Sequence, residues 1–162
     1  MLFRSRPGDG TRFSIYLPAG DAAVAAAPAE AVCAAHAATT GTVLVVDDEG
    51  PVREVAGMVL QRAGYAVMLA VDGADGVAQF EAHAGELAAV ILDLTMPTMS
   101  GEEALRRMRD VRPDIPVVVT TGLDEGDARS RFADSETAVF IQKPYRPGEL
   151  LVKLRDVIDR PA

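Results

Sequence analysis

The sequence predicts an α/β fold, a five-stranded parallel sheet with helices on both faces. Two observations carry that prediction. From Thr42 onward, short apolar runs alternate with stretches whose apolar residues recur at three- and four-residue steps. In addition, four of the runs end on functional side chains: VLVVDD on Asp47-Asp48, VILD on Asp93, VVVTT on Thr120-Thr121 and AVFIQKP on Lys143-Pro144. Alternating βα units give parallel strands with right-handed crossovers, and sites form outside the carboxyl ends of such strands. Three carboxylates, a hydroxyl and an ammonium would then meet at one sheet edge.

The elements follow in order. Residues 1–18 show a strand-like alternation, Thr11, Phe13, Ile15 and Leu17 against Arg12, Ser14 and Tyr16, closed by Pro18. Residues 19–40 are mostly alanine, with no large side chain to bury, and read as a linker. Strands are expected at 42–46, 65–70, 89–93, 116–121 and 138–142. Val52, Val55, Ala56, Val59, Leu60 and Ala63 mark a first helix, with Pro51 in its first turn and Gly64 at its end. Ala74, Val77, Ala78 and Phe80 mark a second, and Ser100 with Glu103 reads as the N-cap of a third. A polar helix is expected over Asp124 to Phe132, and Leu150, Leu151, Leu154, Val157 and Ile158 form the stripe of the last.

Composition narrows the function classes. A net charge of −8 argues against a nucleic-acid surface, since phosphate contacts need clustered Lys and Arg. No apolar stretch approaches the ~20 residues that span a bilayer, and no secretory signal is visible. The lone Cys33 excludes an internal disulfide framework. A cytoplasmic protein is expected. His36 reads as linker and His83 as an exposed helix residue.

The strand-end residues suit phosphoryl chemistry. Clustered carboxylates repel one another, and a hard divalent cation such as Mg2+ relieves that repulsion through oxygen ligands. A carboxylate can also attack phosphorus and form an aspartyl phosphate. Asp93, alone at its strand end opposite Asp47-Asp48, is the best nucleophile, while Lys143 and Thr121 can compensate the charge of the transferring group. Taken singly, each has a blander reading, as a cap, a surface lysine or a hydrogen-bonding threonine. The ordered set is the signal.

On these residues the chain resembles the response-regulator receiver domain, over residues 41–160. Asp47 and Asp48 match the family's acidic pair, and Asp93 its phosphoacceptor, followed by Leu94-Thr95-Met96-Pro97 and Gly101. Thr121 beside Gly122 matches its hydroxyl residue, Lys143-Pro144 its Lys-Pro with a cis bond, and Phe140 its aromatic switch. The resemblance implies a flavodoxin-like sheet of order 2-1-3-4-5. It implies Mg2+ held by Asp47, Asp48, Asp93 and the Thr95 carbonyl, and a switch in which Thr121 moves toward the phosphoryl group as Phe140 turns inward. The face altered is that of the fourth helix, fifth strand and fifth helix, a candidate homodimer surface. Thr95 and Leu123 sit where the family varies phosphoryl lifetime; neither side chain readily orients water, so an ordinary lifetime is expected.

The run from Ser5 to Pro18, with its Gly-Asp-Gly-Thr turn and terminal Leu-Pro, resembles the closing strand of a histidine-kinase ATP-binding domain. Its ATP boxes and phosphorylatable-His helix are absent, so the chain is expected to be no kinase by itself, and residues 1–18 to pack loosely. The arrangement suggests the C-terminal part of a hybrid histidine kinase with no DNA-binding output domain. Its expected partners are a histidine kinase domain or a histidine phosphotransfer protein, with no nucleic acid and no membrane. Competing readings fit less well. A haloacid-dehalogenase-type hydrolase needs an Asp where Glu49 stands, and a flavin module needs a Thr/Ser/Gly-rich loop where Asp47-Asp48-Glu49 would repel phosphate. A docking domain without phosphorylation leaves the intact site unexplained.

Overall fold

A computed structural model describes residues 2–6, 10–14, 41–122 and 138–160. The chain divides into two compact units, Met1–Val32 and Cys33–Ala162. In the first, β1 (Leu2–Arg6) and β2 (Gly10–Ser14) pair antiparallel, with Phe3 opposite Phe13 and Arg6 opposite Gly10. The sequence reading placed a single strand here. Pro7, Gly8 and Asp9, between the two strands in sequence, lie outside the described residues. Ile15 to Pro18 and residues 19–40, where a linker is expected, also lie outside the described residues.

The second unit runs β3 (Thr42–Val46), α1 (Gly50–Arg62), β4 (Ala66–Ala70), α2 (Gly73–His83), β5 (Leu87–Asp93), α3 (Gly101–Val111), β6 (Val117–Thr121), β7 (Ala138–Gln142) and α4 (Pro147–Ile158). Its strands form one parallel sheet in the order β4-β3-β5-β6-β7, the expected 2-1-3-4-5 arrangement. The predicted helix over Asp124 to Phe132 lies outside the described residues.

Strand alternation builds two cores, one on each face of the sheet. Leu44, Val46, Val90, Leu92, Val117, Val119 and Phe140 pack with Val77 and Phe80 of α2 and Leu105 and Met108 of α3. Val43, Val45, Ala89, Ile91, Val118, Val139 and Ile141 pack with Ala56 and Leu60 of α1 and Leu150, Leu154 and Val157 of α4. Burial on both faces explains why the central strands read as continuous apolar runs. Fully burying a side chain such as Phe80 or Leu60 contributes about 1.5–3 kcal/mol.

The helix ends follow from local chemistry. Gly64 adopts φ +94° after α1, a left-handed conformation that costs a glycine little. Asp72 caps α2 by accepting from the Asp75 amide at 2.9 Å, a cap the sequence reading did not assign. Ser100 accepts from the Glu103 amide at 3.3 Å, as expected. The Glu103 carboxylate does not complete a reciprocal box, because Arg106 and Arg107 take its two oxygens.

Candidate functional site

β3 and β5 lie side by side in the sheet, so their C-terminal ends bring Asp47 and Asp93 together. The Asp47 amide still bonds the Ala70 carbonyl of β4 at 3.3 Å, which holds this residue in the ladder. Its Oδ1 accepts from the Glu49 amide at 2.9 Å, and Arg53 Nη1 donates to its carbonyl at 2.5 Å. That double tether folds the loop back at the start of α1. Glu49 sits at the N-cap position without capping through its side chain. Its carboxylate reaches Lys143 Nζ instead, at 3.5 Å.

Asp93 closes β5 with only 3% of its surface exposed, as does Asp47 after β3. Asp93 Oδ1 accepts from the Thr95 amide at 3.3 Å, and Oδ2 lies 3.0 Å from Lys143 Nζ. The loop beyond it turns sharply: Gly101 donates its amide to the Leu94 carbonyl at 3.1 Å. A Cβ at Gly101 would collide with the Asp93 carbonyl oxygen and the Leu94 Cα, so only glycine lets α3 start this close to the acceptor strand. Within the loop, Thr98 holds φ +73°, an uncommon conformation for a β-branched residue and a local strain beside the site.

Lys143 enters from β7. Its peptide bond to Pro144 is cis, and its amide donates to the Thr121 carbonyl at 2.7 Å. Its Nζ lies 2.8 Å from Asp47 Oδ2 as well as 3.0 Å from Asp93 Oδ2. Burial works against the ammonium charge, but hydrogen bonds to Asp47 and Asp93, with their negative charge, outweigh it and raise the Lys143 pKa. Burial pushes the Asp93 carboxyl above its ordinary range, and Lys143 only partly opposes that shift. Tyr145 is raised too, first by burial and then by the nearby Asp47 charge.

Asp47, Asp93 and Lys143 thus meet as the sequence reading expected, and Glu49 joins them although that reading did not count it as a ligand. Asp48 is exposed and stands outside the group formed by Asp47, Glu49 and Asp93. Thr95 is exposed, with its amide on Asp93. Thr121 is fully buried at the end of β6, and Phe140 is buried among the residues that pack against α2 and α3. Leu123 lies outside the described residues.

Carboxylate oxygens of Asp47, Glu49 and Asp93 all approach within 4.8 Å of one another. An all-oxygen, multiply anionic donor set that close suits a hard divalent cation, and Mg2+ fits its chemistry. Asp47 and Asp93 at two strand ends, Glu49 from the loop before α1 and Lys143 beside them, on this strand order, form the acidic pocket of a receiver-type regulatory domain.

The chain belongs to the response regulator receiver domain family, which matches residues 43–155. Among curated proteins it is 33% identical to the sensor kinase CckA of Brucella abortus, over 96% of this chain and 17% of that protein. It is 32% identical to the phosphate regulon transcriptional regulatory protein PhoB of Pseudomonas aeruginosa, over 74% of this chain and 52% of that one. The chain therefore spans under a fifth of the first relative and about half of the second. Among solved structures, a response regulator receiver domain protein of Clostridium thermocellum superposes with TM-score 0.67 at 27% identity, covering 74% of this chain and 95% of that one. The receiver domain of the hybrid histidine kinase CckA superposes with TM-score 0.62 at 28% identity, covering 74% and 100%. Among the described residues, no helix is long and apolar enough to cross a membrane.

Proposed function

We propose that this chain accepts a phosphoryl group from a kinase histidine onto Asp93 within a two-component phosphorelay. The carrying observation is the 3.0 Å contact between Lys143 Nζ and Asp93 Oδ2 inside a ring of further carboxylates. Asp93 Oδ attacks phosphorus, the P–N bond of the donor phosphohistidine breaks as the O–P bond forms, and the imidazole leaves. Lys143 is held as a cation beside the oxygens that gain charge, and Thr121 supplies the hydroxyl of the family's switch. Phe140 would couple that hydroxyl to the face of the fourth helix, fifth strand and fifth helix, where a second copy could dock. Asp47, Asp48 and Asp93, with the Thr95 carbonyl, are the ligands the resemblance implies for Mg2+, and Glu49 belongs with them on geometry. Bound there, the cation would neutralise charge on the transferring group. The chain assists its own phosphorylation and dephosphorylation but is not a kinase.

The site's surroundings support a protein phosphodonor as the partner. A groove of about 580 Å³ beside Lys143 is walled by Pro51, Val52, Val55, Pro144 and Tyr145. It offers apolar surface to a phosphodonor, either a histidine kinase domain or a histidine phosphotransfer protein. The Brucella sensor kinase aligns over nearly the whole chain, which favours a hybrid-kinase context in the cytoplasm. In that reading residues 1–18 are the end of an ATP-binding domain, 19–40 a linker and 41–160 the receiver.

Incubation with Mg2+ and a small phosphodonor, followed by intact-mass measurement, tests the acceptor role. Wild type gains one phosphoryl mass and Asp93→Asn gains none. No adduct on wild type would leave a docking domain as the better reading, and turnover of many phosphomonoesters would favour a hydrolase.

A further inference from the structure

Thr120 is a buried hydroxyl to which the proposed acceptor chemistry assigns no role. It is 1% exposed, and its Oγ1 has no hydrogen-bond partner among the described residues. A buried, unpaired hydroxyl forfeits its hydrogen bonds to water without replacing them, so its presence in a folded protein calls for an explanation. Three facts place this one. Thr120 of β6 is the direct register partner of Asp93 on β5. Adjacent strands lie about 4.8 Å apart, so the two side chains leave neighbouring backbone positions. The alternation that puts Val43, Val45, Ala89, Ile91, Val118, Val139 and Ile141 in one core puts Asp47, Asp93 and Thr120 on that same face of the sheet. Thr121, one residue on, belongs to the opposite face.

The two Asp93 oxygens are held by the Thr95 amide and by Lys143. Each oxygen of the free carboxylate thus has a donor already; once one oxygen is esterified, Lys143 pairs with the phosphoryl oxygens instead and the acyl end is left open to a donor. A rotation about the Cα–Cβ bond of Thr120 redirects its hydroxyl with no backbone movement.

We propose that Thr120 is a positioning residue of the acceptor site, whose hydroxyl is unpaired in the free protein and donates to the Asp93 carboxyl once that carboxyl carries a phosphoryl group. The inference rests on Asp93 being the acceptor. The hydroxyl then biases the equilibrium: its desolvation cost falls on the free state and is relieved in the loaded one, so loading is favoured by the difference. Thr120 and Thr121 serve different atoms in this arrangement, the first the acyl end and the second the phosphoryl end.

Beryllofluoride with Mg2+, a phosphoryl mimic, gives a readout independent of turnover. Thermal unfolding and beryllofluoride affinity are measured for wild type, Thr120→Val and Thr120→Ser. Valine keeps the shape and removes the donor. Free Thr120→Val should melt no lower than wild type, yet bind beryllofluoride about five- to tenfold more weakly, as expected for one lost hydrogen bond of about 1–1.4 kcal/mol. Thr120→Ser should recover the affinity. Unchanged affinity in Thr120→Val with a raised melting point would overturn the proposal and leave Thr120 an unpaired core hydroxyl. If valine perturbs the fold, unchanged affinity in a folded Thr120→Ala would overturn it equally. No beryllofluoride response in wild type would instead sink the acceptor reading, and this inference with it.

Discussion

Lys143, just after β7, pairs with Asp93 at the end of β5, Nζ to Oδ2 at 3.0 Å, with 96% of the Asp93 side chain buried. The pair is asymmetric. Lys143 is also bonded to Asp47, and its charge is secured, whereas burial leaves the Asp93 carboxyl raised.

That asymmetry fixes a pH dependence in metal-free protein. A carboxyl whose folded pKa lies above its unfolded value contributes stability below the unfolded pKa, about 3.9, and loses it as pH rises through the folded pKa. Asp93→Asn removes the titration. It should therefore melt higher than wild type at neutral pH, with the gap closing as the pH falls through the carboxylate range. Thermal unfolding in chelator across pH 3–8 checks this, and a constant gap would contradict it.

Gly101→Ala should destabilise by about 3 kcal/mol or more, because the new methyl meets backbone of Asp93 and Leu94, which cannot move aside as a side-chain tip could. Gly148→Ala, in the first turn of α4 with nothing within 4 Å of the built Cβ, should change stability by less than about 1 kcal/mol. Urea unfolding of both variants separates a steric requirement from a general intolerance of glycine replacement.

Val55 is 50% exposed on α1 and lines the groove beside Lys143. Val55→Glu should leave labelling by a small phosphodonor within about twofold of wild type while cutting transfer from a phosphohistidine protein by tenfold or more, the scale of losing about 1.4 kcal/mol of docking energy. Equal losses with both donors would mean that the substitution disturbs the site itself.

Most of this site was legible in the sequence because strand periodicity and chemistry coincide. Asp47, Asp93 and Lys143 each interrupt or follow an apolar run, and parallel topology then forces those run ends to one edge. Glu49 was not legible as a site residue. Which carboxylate of Asp47-Asp48-Glu49 turns inward depends on the loop, which the Asp47 Oδ1 bond to the Glu49 amide and the Arg53 bond to the Asp47 carbonyl fold back. Neither bond has a signature in residue spacing. Thr98 gave no signal either, since nothing in Met96-Pro97-Thr98-Met99 marks a threonine at positive φ. The start of β5 was placed two residues late, at 89 instead of Leu87, because Leu87-Ala88 adjoins a polar turn that hides the onset of pairing. At the N-terminus, β1 escaped because Leu2-Phe3-Arg4-Ser5-Arg6 lacks a strict alternation, and it pairs only with β2.

The most direct test of the acceptor assignment is chemical trapping. After incubation with Mg2+ and a small phosphodonor, borohydride reduces an aspartyl phosphate to homoserine, which peptide mass mapping locates by residue. Homoserine at position 93 alone is predicted, with none in Asp93→Asn. Homoserine at Asp47 or Asp48, or none anywhere in a protein that carries the phosphoryl mass, would contradict the assignment of Asp93.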